Sequence, residues 1–494
     1  MNRLTITDLK EIINGHRSYS YSEQDIANAL KSFNFLKSFS KNNLVYGVNT
    51  GFGPMADFKV NKEDQIKLQY NLIRSHSSGM GAVLPTKVVK IIMIIRLHTF
   101  LQGKSGVSQS LIKTLSNYID NGIFPDIYEH GGVGASGDLV QLAHLALGII
   151  GEGKGVNNKD EKDHISKLIK ESNLQPHKLE LRDGLAMING TACMTALSAI
   201  NIINSKILIK WSVKISAMML EIFGSYDDYI SKELNQVKLH DGQNEIALRI
   251  RNILETSSLI TNRYSGEDKN FQEFYSVRCT PQVLGPILDT INFSELVVEN
   301  EINSADDNPI VDVDNQKIVH GGNFHGDYIS LEMDKLKIAI TKLTMLTERQ
   351  LNLLLNSKTN KILPPFLNIG KLGLNYGMQG VQFTATSTTA ESQMLSNPMS
   401  VHSITCNNDN QDIVSIGTNS ALITRKVIDN AFQVMSIQLM ACVKALEILK
   451  AEKKVCNETK RTIDTVKELI GSNSIDDDVF YNKLNKIENY LRDN

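Results

Sequence analysis

Proline is scarce in this chain, 10 in 494 residues, so little interrupts long helices. Cysteine is scarce as well. The five residues Cys193, Cys279, Cys406, Cys442 and Cys456 are odd in number, scattered and without a CxxC pair. That excludes a disulfide framework and a zinc ribbon, and they read as cytosolic thiols. No charge sign dominates: 52 basic and 54 acidic residues leave a formal net charge of −2, so nothing marks a partner such as DNA, RNA or an anionic membrane. A spanning segment is not expected either. The most apolar stretch, residues 88–101, is interrupted by Lys90 and Arg96 and reads as a buried helix. Met1-Asn2-Arg3-Leu4-Thr5 runs into Asp8, Lys10 and Glu11 without an apolar signal core, which points to a cytoplasmic protein. Internal repeats and low-complexity tracts are missing.

What is present is helical periodicity. Leu139, Leu142, Leu145, Ala146 and Ile149 recur at helical spacing. Residues 185–203 are apolar nearly all round and rich in small side chains, which places one helix in the core of a bundle. Residues 329–355 and 415–450 predict two more long helices. Period-2 alternation is brief, at residues 310–313 and 318–320, so the fold class is all-α with one or two small hairpins. The length allows roughly three domains: 1–200, a central bundle 201–450, and a charged amphipathic tail 451–494. Loops are expected at 45–58, 127–138 and 258–282. Loops beyond about a dozen residues are usually functional or mobile.

The densest motif is Glu129-His130-Gly131-Gly132-Val133-Gly134-Ala135-Ser136-Gly137-Asp138. Gly132, Gly134 and Gly137 match a dinucleotide fingerprint, but no hydrophobic strand precedes them and no βαβ unit surrounds them. Gly103-Lys104-Ser105 lacks the upstream glycine of a phosphate loop, and Ser136 is not in GxSxG. An ordinary tight turn is the simplest reading of the tripeptide Ala135-Ser136-Gly137. It also admits a chemical one. The Gly137 amide nitrogen can attack the Ala135 carbonyl carbon, since glycine tolerates the dihedrals this needs. Loss of water from the ring and of the Ser136 hydroxyl would leave an electrophilic methylidene. Asp138 is placed to cap a helix starting at Leu139, whose positive end would face that ring.

Seven stretches, in order, carry a resemblance that covers nearly the whole chain: Tyr46-Gly47-Val48-Asn49-Thr50-Gly51-Phe52-Gly53, residues 132–145, Asn189-Gly190-Thr191, Tyr275-Ser276-Val277-Arg278, Asp307-Asn308-Pro309, Gly322-Asn323-Phe324-His325-Gly326 and Asn410-Gln411-Asp412. They resemble the aromatic amino acid ammonia-lyases, which act on histidine, phenylalanine or tyrosine, and the related aminomutases. The resemblance implies a long central helix bundle of the ammonia-lyase/fumarase-like type and a homotetramer whose active sites draw on three subunits. It implies a 4-methylidene-imidazol-5-one (MIO) ring made from Ala135, Ser136 and Gly137, carried by the N-terminal domain with the Tyr46 loop, and no metal or diffusible cofactor. The scattered His98, His144 and His240 show no ligand spacing. By the same resemblance Tyr46 is the base that takes the β-proton, Tyr275 a second active-site tyrosine, and Arg278 the clamp on the substrate carboxylate. Asn189, Gln272 and Phe324 line substrate and ring.

Two places bear on the amino acid chosen. Ser75-His76 sits where the family reads the aromatic side chain, and a histidine there suits a polar ring. The segment from Asn407 to Asp412 supplies the second reader. Histidine ammonia-lyases typically carry a glutamate where this chain has Gln411, whereas Met378 matches a methionine of histidine lyases. His76 with Gln411 points to tyrosine and the product p-coumarate, as in bacterial-type enzymes without the long insertion of plant phenylalanine lyases. The alternatives are a histidine ammonia-lyase making urocanate, a tyrosine 2,3-aminomutase, and a non-catalytic helical scaffold. The intact Tyr46, Ala135-Ser136-Gly137 and Arg278 argue against the last.

Overall fold

A computed structural model describes residues 1–264, 272–471 and 474–494. The fold is mainly α. The long helices are Ala192–Phe223, Thr280–Ile302, Asp327–Leu355 and Gly417–Ile448. Two of the expected helices, 329–355 and 415–450, appear within two residues of their bounds. The expected helix over 185–203 is instead broken. Asp183–Ile188 ends at Asn189, and Ala192–Phe223 begins three residues later. The reason is tertiary: Gly190 leaves the helix to form a parallel bridge with Gly137. Of the loop expected at 258–282, residues 265–271 lie outside the described residues, and its end is helical, with Tyr275–Arg278 and the start of Thr280–Ile302.

The chain forms two compact units. The first comprises Met1–Ile202, Ser294–Asp334 and Pro398–Ile423, the second Ile203–Phe293, Lys335–Asn397 and Thr424–Asn494. These differ from the contiguous 1–200, 201–450 and 451–494, because the division falls inside each of the four long helices. The tail is not a separate body. Its helices Asn457–Ile470 and Phe480–Asp493 belong to the second unit, where the Trp211 indole N–H donates to the Leu491 carbonyl at 3.0 Å.

In the first unit, helices start where capping residues dictate. Thr5 with Asp8 and Ser22 with Asp25 form reciprocal capping boxes for Ile6–Ile13 and Glu23–Phe39. Thr86–Leu101 is buried around its whole circumference over its C-terminal half, including Arg96 and His98. The hairpin Ile310–Asp312 with Lys317–Val319 is antiparallel, Ile310 facing Val319. Two further small sheets, Met80–Val83 with Tyr128–His130 and a three-stranded one from Phe124–Pro125, Lys154–Val156 and Lys162–His164, carry no alternation in the sequence. They are too short to show it.

Ala192–Phe223 and Gly417–Ile448, rather than residues 88–101, are long and apolar enough to cross a membrane. Their most apolar windows are 72% and 78% buried within the protein, as core helices are.

His98 ties the N-terminal segment to this core. Tyr19 Oη lies 2.9 Å from its Nδ1 and Asn303 Oδ1 3.0 Å from its Nε2. Burial pushes the imidazole down to about 4. A free histidine takes a proton near 6.5, so the unfolded chain binds one first as pH falls. The contribution of His98 to stability is therefore expected to drop between pH 6.5 and 4, by roughly 3 kcal/mol for a shift of this size. Urea midpoints at pH 7 and 4.5 check this. His98→Gln should lose less on acidification than the wild type, and an equal loss would overturn the assignment.

Candidate active site

The Gly-rich loop lies in the first unit and is held on two sides. On one, Val133 and Gly134 accept backbone N–H groups from Ile416 at 2.9 Å and Gly326 at 3.0 Å, and Ser415 Oγ donates to Gly134 O at 3.0 Å. On the other, Gly137 bridges Gly190, and the Asp138 N–H donates to Gly190 O at 2.8 Å. Gly137 has φ +69°, and a Cβ there would lie 2.0 Å from Gly190 O, so no other residue fits without moving the backbone. Ala135 and Gly137 are buried, while Ser136 retains some exposure. Ser136 is thus the member of the tripeptide that solvent can reach.

Asp138 occupies the N-cap position of Leu139–Ile149, yet its carboxylate does not cap that helix. It instead accepts the N–H groups of Cys193 and Met194, both at 2.9 Å, and the Thr418 hydroxyl. It caps the long helix Ala192–Phe223, because the tripeptide fold aims it there. Burial raises this carboxyl to about 6, against the pull of those three donors.

Gly190 is held in turn by a buried charge network. Arg96, with no exposed surface, donates to Asp306 Oδ1 at 2.7 Å and Asp307 Oδ1 at 3.0 Å, and to the carbonyls of Ala186 and Asn189 at 2.6 and 3.3 Å. Asp306 Oδ2 accepts the Thr191 N–H at 2.6 Å. The Thr191 hydroxyl faces Glu301 at 2.6 Å, and burial raises that acid to about 7. Nothing in the sequence singles out Asp306, Glu301 or Ser415 for this network, and the one visible sign of Arg96 is a charge inside an apolar helix.

Several of the expected site residues gather here. Asn189 Nδ2 donates to Ser136 O at 3.4 Å, and its Oδ1 accepts the Asn308 N–H at 3.1 Å. Gln411 Nε2 donates to Ser136 Oγ at 3.0 Å. Tyr46 sits in an irregular loop in which its hydroxyl oxygen accepts the Gly53 N–H at 3.0 Å and its ring meets Phe52 edge-on. Gly47 has φ +70°, and a Cβ would lie 2.2 Å from Leu185 Cδ2, so glycine lets this loop approach the helix that leads to Asn189. Gln69 fixes the approach, donating to Gly47 O at 2.9 Å and accepting the Leu185 N–H at 2.8 Å. Asn407 lies over the same loop, since a Cβ on Gly53 would meet its Nδ2 at 2.9 Å. Phe324 is half-buried, in the turn whose Gly326 bonds Gly134. Burial raises Tyr46, while the Gly53 N–H and the positive charge of Arg182 pull it down.

His76 ends the helix Gln65–His76. Its Nδ1 lies 3.0 Å from both the Leu72 carbonyl and the Ser75 hydroxyl, and that hydroxyl in turn reaches the same carbonyl at 3.1 Å. The segment after it is tied to the helix that follows the tripeptide, as the Gly79 N–H donates to His144 Nε2 at 2.9 Å.

Gln272, Tyr275 and Arg278 belong to the second unit. The Arg278 guanidinium stands 4.5 Å over the Tyr275 ring, Tyr275 is 70% exposed, and Arg278 Nε is buried without a hydrogen-bond partner among the described residues. A buried, unpaired guanidinium N–H suits a carboxylate from a ligand. Gln272 is exposed. Among the described residues no group of His, Cys, Asp and Glu could hold a metal ion.

The sequence model of the aromatic amino acid lyases matches residues 4–468. The chain belongs to this family of carbon–nitrogen lyases. This aromatic amino acid lyase is 37% identical to a protein named histidine ammonia-lyase from Caldanaerobacter subterraneus subsp. tengcongensis, over 92% of this chain and 88% of that one. It is 36% identical to a tyrosine 2,3-aminomutase from Chondromyces crocatus, over 83% and 80% of the two chains. Its fold matches the crystal structure of a tyrosine aminomutase from Streptomyces globisporus with a TM-score of 0.94 at 30% identity, covering 99% of this chain and 95% of that one.

Proposed function

We propose that this lyase removes ammonia from L-tyrosine to give trans-p-coumarate, on a 4-methylidene-imidazol-5-one formed from Ala135-Ser136-Gly137. The observation that carries the ring is the tripeptide itself: Gly137 at positive φ, pressed on Gly190 O, with only Ser136 partly exposed. Such a ring supplies an electrophile for the substrate amine, and no metal or diffusible cofactor is called for. The rest is done by side chains. Arg278, with its free N–H, holds the carboxylate. Tyr46 takes the β-proton, and the Gly53 N–H on its oxygen stabilises the phenolate it must become. Tyr275, packed under Arg278, stands beside the carboxylate clamp, and Gln272, Asn189 and Phe324 line the substrate. The family resemblance implies that the site is completed in a homotetramer, in the cytoplasm.

Tyrosine is favoured over histidine by two side chains. His76 offers a polar imidazole, which fits a phenol O–H. Gln411 is neutral, so an imidazole would find no charged partner. The histidine reading is supported by the relatives so named and by Met378. Rates on L-tyrosine, L-histidine and L-phenylalanine, followed by the absorbance of p-coumarate, urocanate and cinnamate, decide between them. Tyrosine is expected to give the highest kcat/KM and phenylalanine a poor one, because the polar group that meets the hydroxyl would be left unpaired. Dominant urocanate would replace tyrosine by histidine, and a β-amino acid product would mark an aminomutase.

Tyr46→Phe should keep the edge-on contact with Phe52 and lose the proton acceptor. Turnover is expected to fall by about 10²–10⁴-fold with little change in KM. Steady-state kinetics check it, and a rate within a few-fold of wild type would remove Tyr46 from its role.

A further inference from the structure

The turn between Cys406 and Gln411 is unusually constrained. The two residues exchange backbone bonds, Cys406 N–H to Gln411 O at 3.1 Å and Gln411 N–H to Cys406 O at 3.3 Å. Asn407, Asn408 and Asp409 between them all have φ between +52° and +59°, and the Thr405 hydroxyl donates to Asp409 Oδ1 at 2.9 Å. Paired in this way, the Cys406 and Gln411 side chains stand next to each other. Cys406 Sγ is 3.4 Å from Gln411 Oε1, and Gln411 Nε2 is 3.0 Å from Ser136 Oγ. Cys406 also packs on an apolar cluster of Ala135, Val414 and Ile416, where a hydrogen bond meets little competition from water.

A carboxamide has a donating and an accepting end, and the neighbour on its far side biases which one faces the reacting group. A thiol carries one proton and is a weak acceptor. Turning the amide over would set its NH₂ against sulfur and leave the Gln411 oxygen facing Ser136.

We propose that Cys406 is a positioning residue for maturation of Ala135-Ser136-Gly137. Its thiol donates to Gln411 Oε1, and this turns the Gln411 NH₂ onto the Ser136 hydroxyl oxygen, where it assists that oxygen's departure. The inference rests on the proposed cyclisation. In the step concerned, Ser136 loses its Cα proton to solvent, and the freed pair becomes the second bond of Cα=Cβ. The Cβ–Oγ bond breaks, its pair goes to oxygen, and oxygen takes up a proton and leaves as water. The step is a net loss of one water and needs no oxidant or reductant. The Gln411 N–H stabilises the charge gathering on oxygen.

The test follows maturation without any amino acid substrate. Full-length wild type, Cys406→Ser, Cys406→Val and Cys406→Ala are synthesised in a cell-free system, and intact mass is read over time for chains lighter by two waters. Serine keeps a donor and loses apolar character, whereas valine does the opposite. Wild type and Cys406→Ser are expected to mature at similar rates. The valine and alanine variants should be about five-fold slower, the size of one hydrogen bond. Cys406→Val at the wild-type rate, or Cys406→Ser as slow as alanine, would make Cys406 a packing residue and overturn the proposal. If all four mature alike, this proposal alone falls. If the wild type never loses two waters, the cyclisation itself falls with it.

Discussion

Ser136→Ala is expected to lower turnover by about a thousand-fold or more, the range seen when a covalent electrophile or its partner is removed, while the fold persists. The physical reason is specific. Alanine can still be enclosed in the ring, but it has no hydroxyl to eliminate, so no methylidene forms. Intact mass should show at most one water lost instead of two. The side chain is the partly exposed one of the tripeptide, and its hydroxyl oxygen accepts from Gln411 Nε2, so the urea midpoint should move by less than about 1 kcal/mol equivalent. A variant that loses activity and stability together would not separate chemistry from folding. Retained turnover would end the proposal that this tripeptide carries the reaction.

Arg96→Met should have the largest effect on stability. Methionine fills part of the volume but leaves Asp306 and Asp307 without their principal cation, and the Ala186 and Asn189 carbonyls without a donor. Breaking a buried ion pair from one side costs about 3–5 kcal/mol, because the charge left behind remains desolvated. The consequence should reach the site. Arg96 holds the chain break at Asn189-Gly190-Thr191, and Gly190 O is what Gly137 and Asp138 close against. A urea midpoint lowered by that amount, together with slower loss of water from the tripeptide, is the expected pair of results. Adding Asp306→Asn should recover part of the stability by removing one unpaired charge. A single variant as stable as wild type would show that the network is not holding the break.

Much of the site was legible without coordinates. A glycine at 137, a serine before it and a helix after it are local facts, set by backbone freedom and short-range periodicity. The helices 329–355 and 415–450 were readable for the same reason, since an apolar stripe at steps of three and four is written in consecutive residues. Glycines 47, 51 and 53 lie in the loop expected over 45–58, and glycine permits such a loop to come close to something.

What they come close to was not legible. The sequence showed residues 185–203 as one apolar helix, and only tertiary contacts break it. The Gly190 carbonyl is worth more as a partner for residues 137 and 138 than as a helical acceptor, and Arg96 satisfies the carbonyls that the break frees. Asp138 reads as the cap of the helix that follows it, yet it caps another more than fifty positions later, because direction in space is decided by the turn at Gly137 and not by order in the chain. By itself the sequence determined the all-α class and marked the tripeptide and the side chains proposed to meet a substrate. The tertiary structure decided which carbonyls, charges and amide ends meet, since hydrogen bonds and buried ion pairs act over a few ångströms and join residues that the sequence holds far apart.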